Sequence, residues 1–495
     1  MLTKINFMTE QRKRVLLFVA IPLLLIAGIV SVRSFKATGD LVMEEDVKQL
    51  TDLEDILERG VIRAATDYNS TNYFVYRGEP MGFHLELLRH FASHLGVELE
   101  VSVSNDLQAN IDCVFDEDGC DLIAQNLWVS NSGRHKLNYT VPHSRTRQML
   151  VQRKPDGWNN MRASEMDSHM VRSQLDLAGK TVHVSNNSAF ITRLQHLMEE
   201  IGDTIYIVES DLHVETLIEQ VALGEIDYTV GDEKLARLNQ VYYANIDAQT
   251  PLSFEQNLSW AVSPGATELL AAVNEWLEEF TQSRQYTSIY NRYYNNPRSV
   301  FITKSDLHSL GGGNISVFDD YFKRYADIVG WDWRLIASLS YQESRFNHSA
   351  VSWAGAFGIM QLMPGTAEFL NVSADADVRE HIAGGIRYLR WLDGRLSEEI
   401  QDADERKKFV LASYNVGLGH VLDARRLAEK YGRNPNVWKD NVDYYVLNKS
   451  EPKYYLDPVV RHGYARGYEP YRYVNEIMER YRHYKNVVDV LAYNP

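Results

Sequence analysis

Acid–base chemistry in this 495-residue chain is argued most directly from Glu343. It lies in WDWRLIASLSYQESRFN, residues 331–347, which reads as a helix. Leu335, Leu339 and Glu343 recur at a spacing of four and share one face, and Ile336 joins them from seven positions before Glu343. A carboxyl group at the end of an apolar stripe is partly withdrawn from water. Desolvation disfavours its charged form and raises its pKa, which is what a general acid working near neutrality requires. The plain alternative is a helix-terminal glutamate in solvent, and the helix alone does not choose between them.

The elements that must hold such a group are too many for one core. A domain takes roughly 100–200 residues, so the length implies two to four. Apolar residues are 45% and charged residues 24%, as in ordinary globular protein. The net charge of −16, with no long Lys/Arg cluster, argues against nucleic-acid binding, which draws most of its affinity from phosphate neutralisation. Neither CxxC nor HExxH spacing occurs, so no metal and no cofactor are expected. Arg12, Lys13 and Arg14 precede an apolar run, Val15–Val32, close to the minimum for a bilayer span. Positive charge before the run directs the remainder outward. Residues 1–40 are therefore expected to be a membrane anchor or signal segment. The lack of a clear small-residue cleavage site favours the anchor. Export makes a disulfide between Cys113 and Cys120 the favoured state over two free thiols.

Residues 36–50 read as a polar linker. Strand-like and helical runs then alternate: 60–68, 98–104, 120–127 and 180–185 as strands, and 82–97 as a helix with Leu85, Leu88, Phe91 and Leu95 at helical spacing. Such alternation predicts α/β architecture. Asn295, Asn296 and Pro297 close a Tyr-rich helical stretch. Three glycines in SLGGGN, 309–314, mark a joint, and the pattern is helical from there to the end. The expected division is 45–300 for an α/β domain and 310–495 for a helical one.

The first of these resembles the periplasmic solute-binding proteins, in the family-3 group that often binds amino acids. The fragments that carry the likeness are LEDILERGVIRAATDYN (53–69), EPMGFHLELLRHFASHLG (79–96), GCDLIAQNLWVSNSGRHKLNYTVPH (119–143) and LGEIDYTVGDEKLA (223–236). The resemblance implies a two-lobed fold in which Arg134 holds a ligand carboxylate and Asp232 a ligand ammonium, with Asp67 and Tyr73 lining the cleft. A guanidinium fork matches a carboxylate through two parallel hydrogen bonds. The chain departs from the family pattern at Ser130–Ser132, Tyr139 and His143, which leaves the identity of the ligand open.

The second domain resembles the soluble lytic transglycosylases. The matching motifs are, in order, Glu343-Ser344, Gly358-Ile359-Met360-Gln361, Ala412-Ser413-Tyr414-Asn415, and Glu469 with Tyr473 and Val474. The resemblance covers about 315–485 and implies a lysozyme-like helical fold with a groove for a peptidoglycan strand. It makes Glu343 the acid that protonates the glycosidic oxygen between MurNAc and GlcNAc, then the base that helps the C6 hydroxyl close a 1,6-anhydro ring. It further implies Ser352 near the scissile bond, Gly358 giving close approach to the sugar, and Met360 and Gln361 on the groove floor. Tyr414 and Asn415 would hold the acid and the sugar, and Tyr473 would close the far side. Core packing is the alternative for Met360 and Tyr414. Residues 344–367 hold no Asp or Glu to act as a nucleophile, and Asp375 and Asp377 read as a turn. A missing second carboxylate fits substrate-assisted cleavage.

Peptidoglycan is thus the expected partner, with a small amino acid or muropeptide ligand in the first domain and a membrane at the N-terminus. Two other readings stay open: a hydrolytic muramidase, and a catalytically silent sensor that only holds the wall.

Overall fold

The computed structural model describes residues 52–116, 118–129, 137–186, 188–296 and 314–493. The run Val15–Val32, the 36–50 linker and the glycine joint lie outside them. Among the described residues no helix is long and apolar enough to cross a membrane.

The α/β domain has two lobes. In the first, the parallel neighbours Glu98–Val103, Val61–Thr66 and Leu122–Trp128 are followed by antiparallel Gln256–Val262, which also pairs with Asn138–Tyr139 and Ser144–Thr146. The second lobe is a five-stranded sheet in the order Tyr206–Ser210, Thr181–Ser185, Tyr228–Asp232, Gln148–Arg153, Ile246–Pro251. The helix Phe83–Leu95 buries Phe83, Leu87, Leu88 and Phe91 and stops at Gly96, whose φ of 73° is a left-handed cap. Each of the strands and the helix expected from sequence is present, with ends shifted by no more than about one side-chain alternation. Cys113 and Cys120 are bonded, with Cα atoms 5.2 Å apart, between the helix Leu107–Cys113 and the strand Leu122–Trp128. The lobes are clasped by Ser70, whose N–H (3.0 Å) and hydroxyl both donate to the Glu215 carboxylate.

From residue 314 on the chain is helical. The helix Trp333–Ser344 is central, packed against Asp319–Ala326 and the long C-terminal helix Tyr468–Tyr493. Leu335, Ile336 and Leu339 are fully buried, as their spacing demanded, among Ile382, Ile386, Phe409 and Ile477.

The two domains meet through a small hairpin, Phe74–Tyr76 and Glu79–Met81. The Tyr484 hydroxyl donates to the Gly78 carbonyl (2.8 Å), and the Tyr341 hydroxyl donates to Glu79. Asn486 Nδ2 donates to the Val101 carbonyl at 2.7 Å, so the C-terminal helix also touches the sheet. At Gly78 the backbone has φ 80°, and a Cβ there would stand 2.6–2.8 Å from the side chains of Phe346, Tyr341 and Tyr484.

That crowding gives a stability prediction with an internal control. Gly60 has φ 69°, and a methyl group at its Cα would meet nothing within 4 Å. Gly60→Ala should therefore cost about 1 kcal/mol, the left-handed backbone penalty alone, and Gly78→Ala about 3 kcal/mol because contact between the domains is lost as well. Urea denaturation of both variants checks this, and equal losses would refute the packing assignment.

Candidate active site

The helix carrying Glu343 is capped by Asp332, whose carboxylate accepts the Arg334 N–H at 2.9 Å. It ends at Arg345, where φ turns to 52° and the Arg345 N–H returns to the Tyr341 carbonyl. Glu343 thus sits in the last turn, just beyond the buried stripe. It has no ion-pair partner among the described residues. Burial raises its pKa to about 7, and the Tyr473 hydroxyl, which donates to Oε1, pulls in the opposite direction. Tyr473 is itself buried, and loss of water together with the neighbouring Glu343 charge holds its phenol in the protonated, donating form. The two helices are locked one turn further along, where Ser338 Oγ donates to the Ile477 carbonyl at 2.8 Å.

A cavity of about 310 Å³ opens at Glu343, lined also by Asn415, Tyr468, Glu469, Tyr473 and Glu476. The expectation of a lone carboxyl, drawn from residues 344–367, is amended here, because two carboxylates of the C-terminal helix line the same cavity. Glu476 is engaged: it accepts from Gln342 Nε2 at 2.7 Å and pairs with Arg472. Glu469 is exposed and loosely paired with Arg466, 3.8 Å away.

The loop after the helix is tied to itself. Ser344 Oγ donates to the Ile359 carbonyl at 2.8 Å, and Ser340 Oγ reaches the same oxygen at 3.2 Å. Gln361, at φ 48°, uses its Nε2 amide on the carbonyls of Ala350 (3.0 Å) and Gly358 (2.8 Å). What Gln361 can offer a sugar is therefore its side-chain oxygen. Ser352 closes a turn, its Oγ accepting the Ala356 N–H at 3.0 Å, which ties its oxygen to the loop and leaves the O–H to donate. Gly358 has φ 77°, and a Cβ there would lie 2.3 Å from His381 Nδ1; the close neighbour that requires glycine is an imidazole of this chain.

Two expected groove residues fall elsewhere. Met360 is fully buried, packed where a Cβ on Gly385 would collide with it, so its side chain is core and not groove floor. Tyr414 donates to the Met360 carbonyl at 2.7 Å and steadies the loop, while the residue that holds Glu343 is Tyr473. Tyr473 thus reaches the acid itself as well as lining the cavity at Glu343. Asn415 is exposed at the cavity rim.

In the α/β domain, Arg134 lies outside the described residues. Asp232 caps the helix Glu233–Tyr242, its Oδ1 accepting the N–H groups of Lys234 (3.0 Å) and Leu235 (3.1 Å). Asp67 accepts from Asn69 Nδ2 at 2.6 Å and Asn72 Nδ2 at 3.0 Å, and burial raises its pKa. Tyr73 is buried with its hydroxyl 2.8 Å from His483 Nδ1, so it faces the C-terminal helix and not a ligand cleft. Lys234 was not read from the sequence. Its ammonium stands 4.8 and 4.7 Å from the rings of Tyr290 and Tyr294. Gln342, Arg472 and Glu476 were missed as well. The spacing of Glu469, Tyr473 and Glu476 by four and then three is a one-face helical signal that could have found Glu476.

Residues 61–296 match the family Bacterial extracellular solute-binding proteins, family 3, and residues 320–437 match the Transglycosylase SLT domain. A protein of Desulfosudis oleivorans named Membrane-bound lytic murein transglycosylase F is 34% identical over 435 residues, covering 88% of this chain and 92% of the relative. One of the same name from Pseudomonas fluorescens is 31% identical over 448 residues, covering 90% of this chain and 89% of its own. Among solved structures, holo ArgBP from T. maritima aligns with 49% of this chain and 99% of its own length, at 20% identity and a TM-score of 0.40.

The Tyr473 hydrogen bond stabilises the ionised form of Glu343, so Tyr473→Phe should move the Glu343 pKa above about 7. Carboxyl-carbon NMR titration of the labelled side chain measures it. An unchanged or lower value would show that the phenol is not the carboxylate's partner in solution.

Proposed function

This chain belongs to the membrane-bound lytic murein transglycosylase F family, and from that membership we propose that Glu343 is the single acid and base of its reaction. The chain is a peptidoglycan lytic transglycosylase with a solute-binding-type domain ahead of its catalytic domain. The observation that carries the residue assignment is a half-buried carboxyl with no ion-pair partner among the described residues, hydrogen-bonded by Tyr473 and with its pKa raised to about 7.

At neutral pH a substantial share of Glu343 is protonated and can donate to the glycosidic oxygen between MurNAc and GlcNAc as the C1–O bond breaks. The departing sugar leaves with that proton. Glu343, now a carboxylate, takes the proton of the MurNAc C6 hydroxyl while its oxygen bonds to C1. The product is a 1,6-anhydro end, the proton on Glu343 is restored, and no water is consumed. Tyr473 supports both states, since a phenol donates to a carboxylate and tolerates a carboxylic acid. Ser352, Gly358, Gln361, Tyr414 and Asn415 are assigned to shaping the strand site, the first four through the loop they hold and Asn415 at its rim. A two-carboxylate hydrolysis would draw its base or nucleophile from Glu469 or Glu476, the other carboxylates lining the cavity. The engagement of Glu476 with Gln342 and Arg472 weighs against that role for it.

For the first domain we infer a small amino acid or muropeptide ligand, held by Arg134 and Asp232 and sensed by the catalytic domain. Family membership and the clasp between the lobes support this reading. An envelope location outside the cytoplasm, with attachment through Val15–Val32, is supported by the basic residues before that run and by the Cys113–Cys120 bond, which needs an oxidising compartment.

Mass spectrometry of digested peptidoglycan should find anhydro-muropeptides with the parent enzyme and at least about a 10³-fold slower release with Glu343→Gln, as for loss of an essential acid. Reducing ends in place of anhydro ends would assign a hydrolase. Because the acid must carry its proton, kcat/KM should fall as pH rises through about 7. A rate that stays flat well above that pH would exclude Glu343 as the titrating acid.

A further inference from the structure

We propose that a second cavity, between the first domain and the acid-bearing helix, binds the free carboxylates of the peptide carried by the glycan strand. This rests on the peptidoglycan reading and names a part of the substrate which that reading leaves unassigned. The cavity has a volume of about 430 Å³, within the range of small-ligand sites. Its walls come from both domains: Glu79 and Arg89 from the first, Tyr341 and Arg345 from the acid-bearing helix and its end, and Arg480 from the C-terminal helix. Gln342, Arg472 and Glu476 line both this cavity and the one at Glu343, so the two adjoin. The peptide branches from the MurNAc sugar, on the scissile side of the strand, and is therefore delivered beside the Glu343 cavity.

The charges of this cavity are unevenly matched. Each carboxylate already has a partner. Glu479 takes Arg89 at 3.3 Å and stands 3.6 Å from His483; Glu476 takes Arg472; and Glu79 takes the Tyr341 hydroxyl. Two guanidiniums have no carboxylate partner among the described residues, Arg345 and Arg480. Arg480 donates to the Gln342 side-chain oxygen at 3.0 Å and to the Glu476 carbonyl at 3.4 Å, and lies 4.5 Å from the centre of the Tyr341 ring. Its Nε is buried without an acceptor, so this guanidinium is short of hydrogen-bond partners. Arg345 follows directly from the catalytic helix and is exposed. A pair of guanidiniums lacking counter-ions, partly sheltered by a neighbouring domain, is the arrangement that recognises a carboxylate. The ligand chemistry is therefore a peptide bearing free carboxyl groups, and the adjoining acid makes the strand-attached peptide the source.

The test compares intact strands with strands stripped of their peptides by an amidase, using the full-length enzyme. The readout is the ratio of kcat/KM on the two substrates. The parent enzyme should favour peptide-bearing strands about tenfold, the scale of one charge-assisted contact. Arg345→Gln, at an exposed position that leaves folding intact, should lower the ratio, and Arg345→Gln with Arg480→Gln should bring it close to one. Arg345→Lys, which keeps charge without the fork, should recover part of it. A ratio near one in the parent enzyme, or a ratio unchanged in both variants, overturns the proposal. So does an equal loss on both substrates, which would mark a structural role. No anhydro product from either substrate with the parent enzyme would instead refute the transglycosylase reading itself.

Discussion

A carboxyl group can keep a proton near neutrality only if water is withdrawn and no cation replaces it, and the helical domain is organised around that requirement at Glu343. Leu335, Ile336 and Leu339 place the residue at the edge of a dry core. Arginines are close by, yet they do not compensate its charge. Arg472 is held by Glu476, and Arg480 is turned to Gln342 and the Tyr341 ring. Among the described residues, the one side chain hydrogen-bonded to the carboxylate is a neutral phenol, which steadies the anion without locking it in that state. A lysine in place of Tyr473 would pair with the carboxylate and drive its pKa down, leaving nothing to donate.

The loop between residues 345 and 362 answers a different need. Its backbone adopts left-handed conformations at Arg345, Phe346, Gly355, Gly358 and Gln361. Non-glycine residues in that region are strained, and they persist where the surroundings fix them. Here the fixing groups belong to the motifs themselves. Ser344, Gln361 and Tyr414 donate to the carbonyls of Ile359, Ala350, Gly358 and Met360. Motif residues expected to touch the sugar instead make the backbone rigid, and the sugar meets the shape that results.

The same loop separates what is legible in the sequence from what is not. Periodicity located the helix of Glu343, the strands and the α/β-then-helical order, because burial on one face is a property of spacing. It did not by itself single out Glu343, since a helix-terminal glutamate in solvent fits the same spacing; the motifs that follow did. Motifs named residues that the fold brings to Glu343, its cavity and the loop after it, but assigned them to the ligand, since a motif does not say which way a side chain turns. Met360 went into the core because Gly385 opposite it leaves room for a long side chain, a pairing between distant positions that no local pattern reveals. Tyr73 met His483 across 410 positions, and Gln342 met Glu476 across 134. These contacts depend on how helices and domains dock, which sequence spacing does not encode.

The C-terminal helix belongs to both domains at once. Within a few turns it gives a phenol to the acid, a backbone carbonyl to Ser338, a carboxylate to Arg89, an imidazole to Tyr73 and a hydroxyl to Gly78. Gene fusion joins domains most easily when each brings a finished surface. In this chain the last element of the second domain has become part of the first domain's exterior. A whole-domain exchange would therefore have to remake this helix's contacts, whereas a change confined to a rim loop would leave them standing.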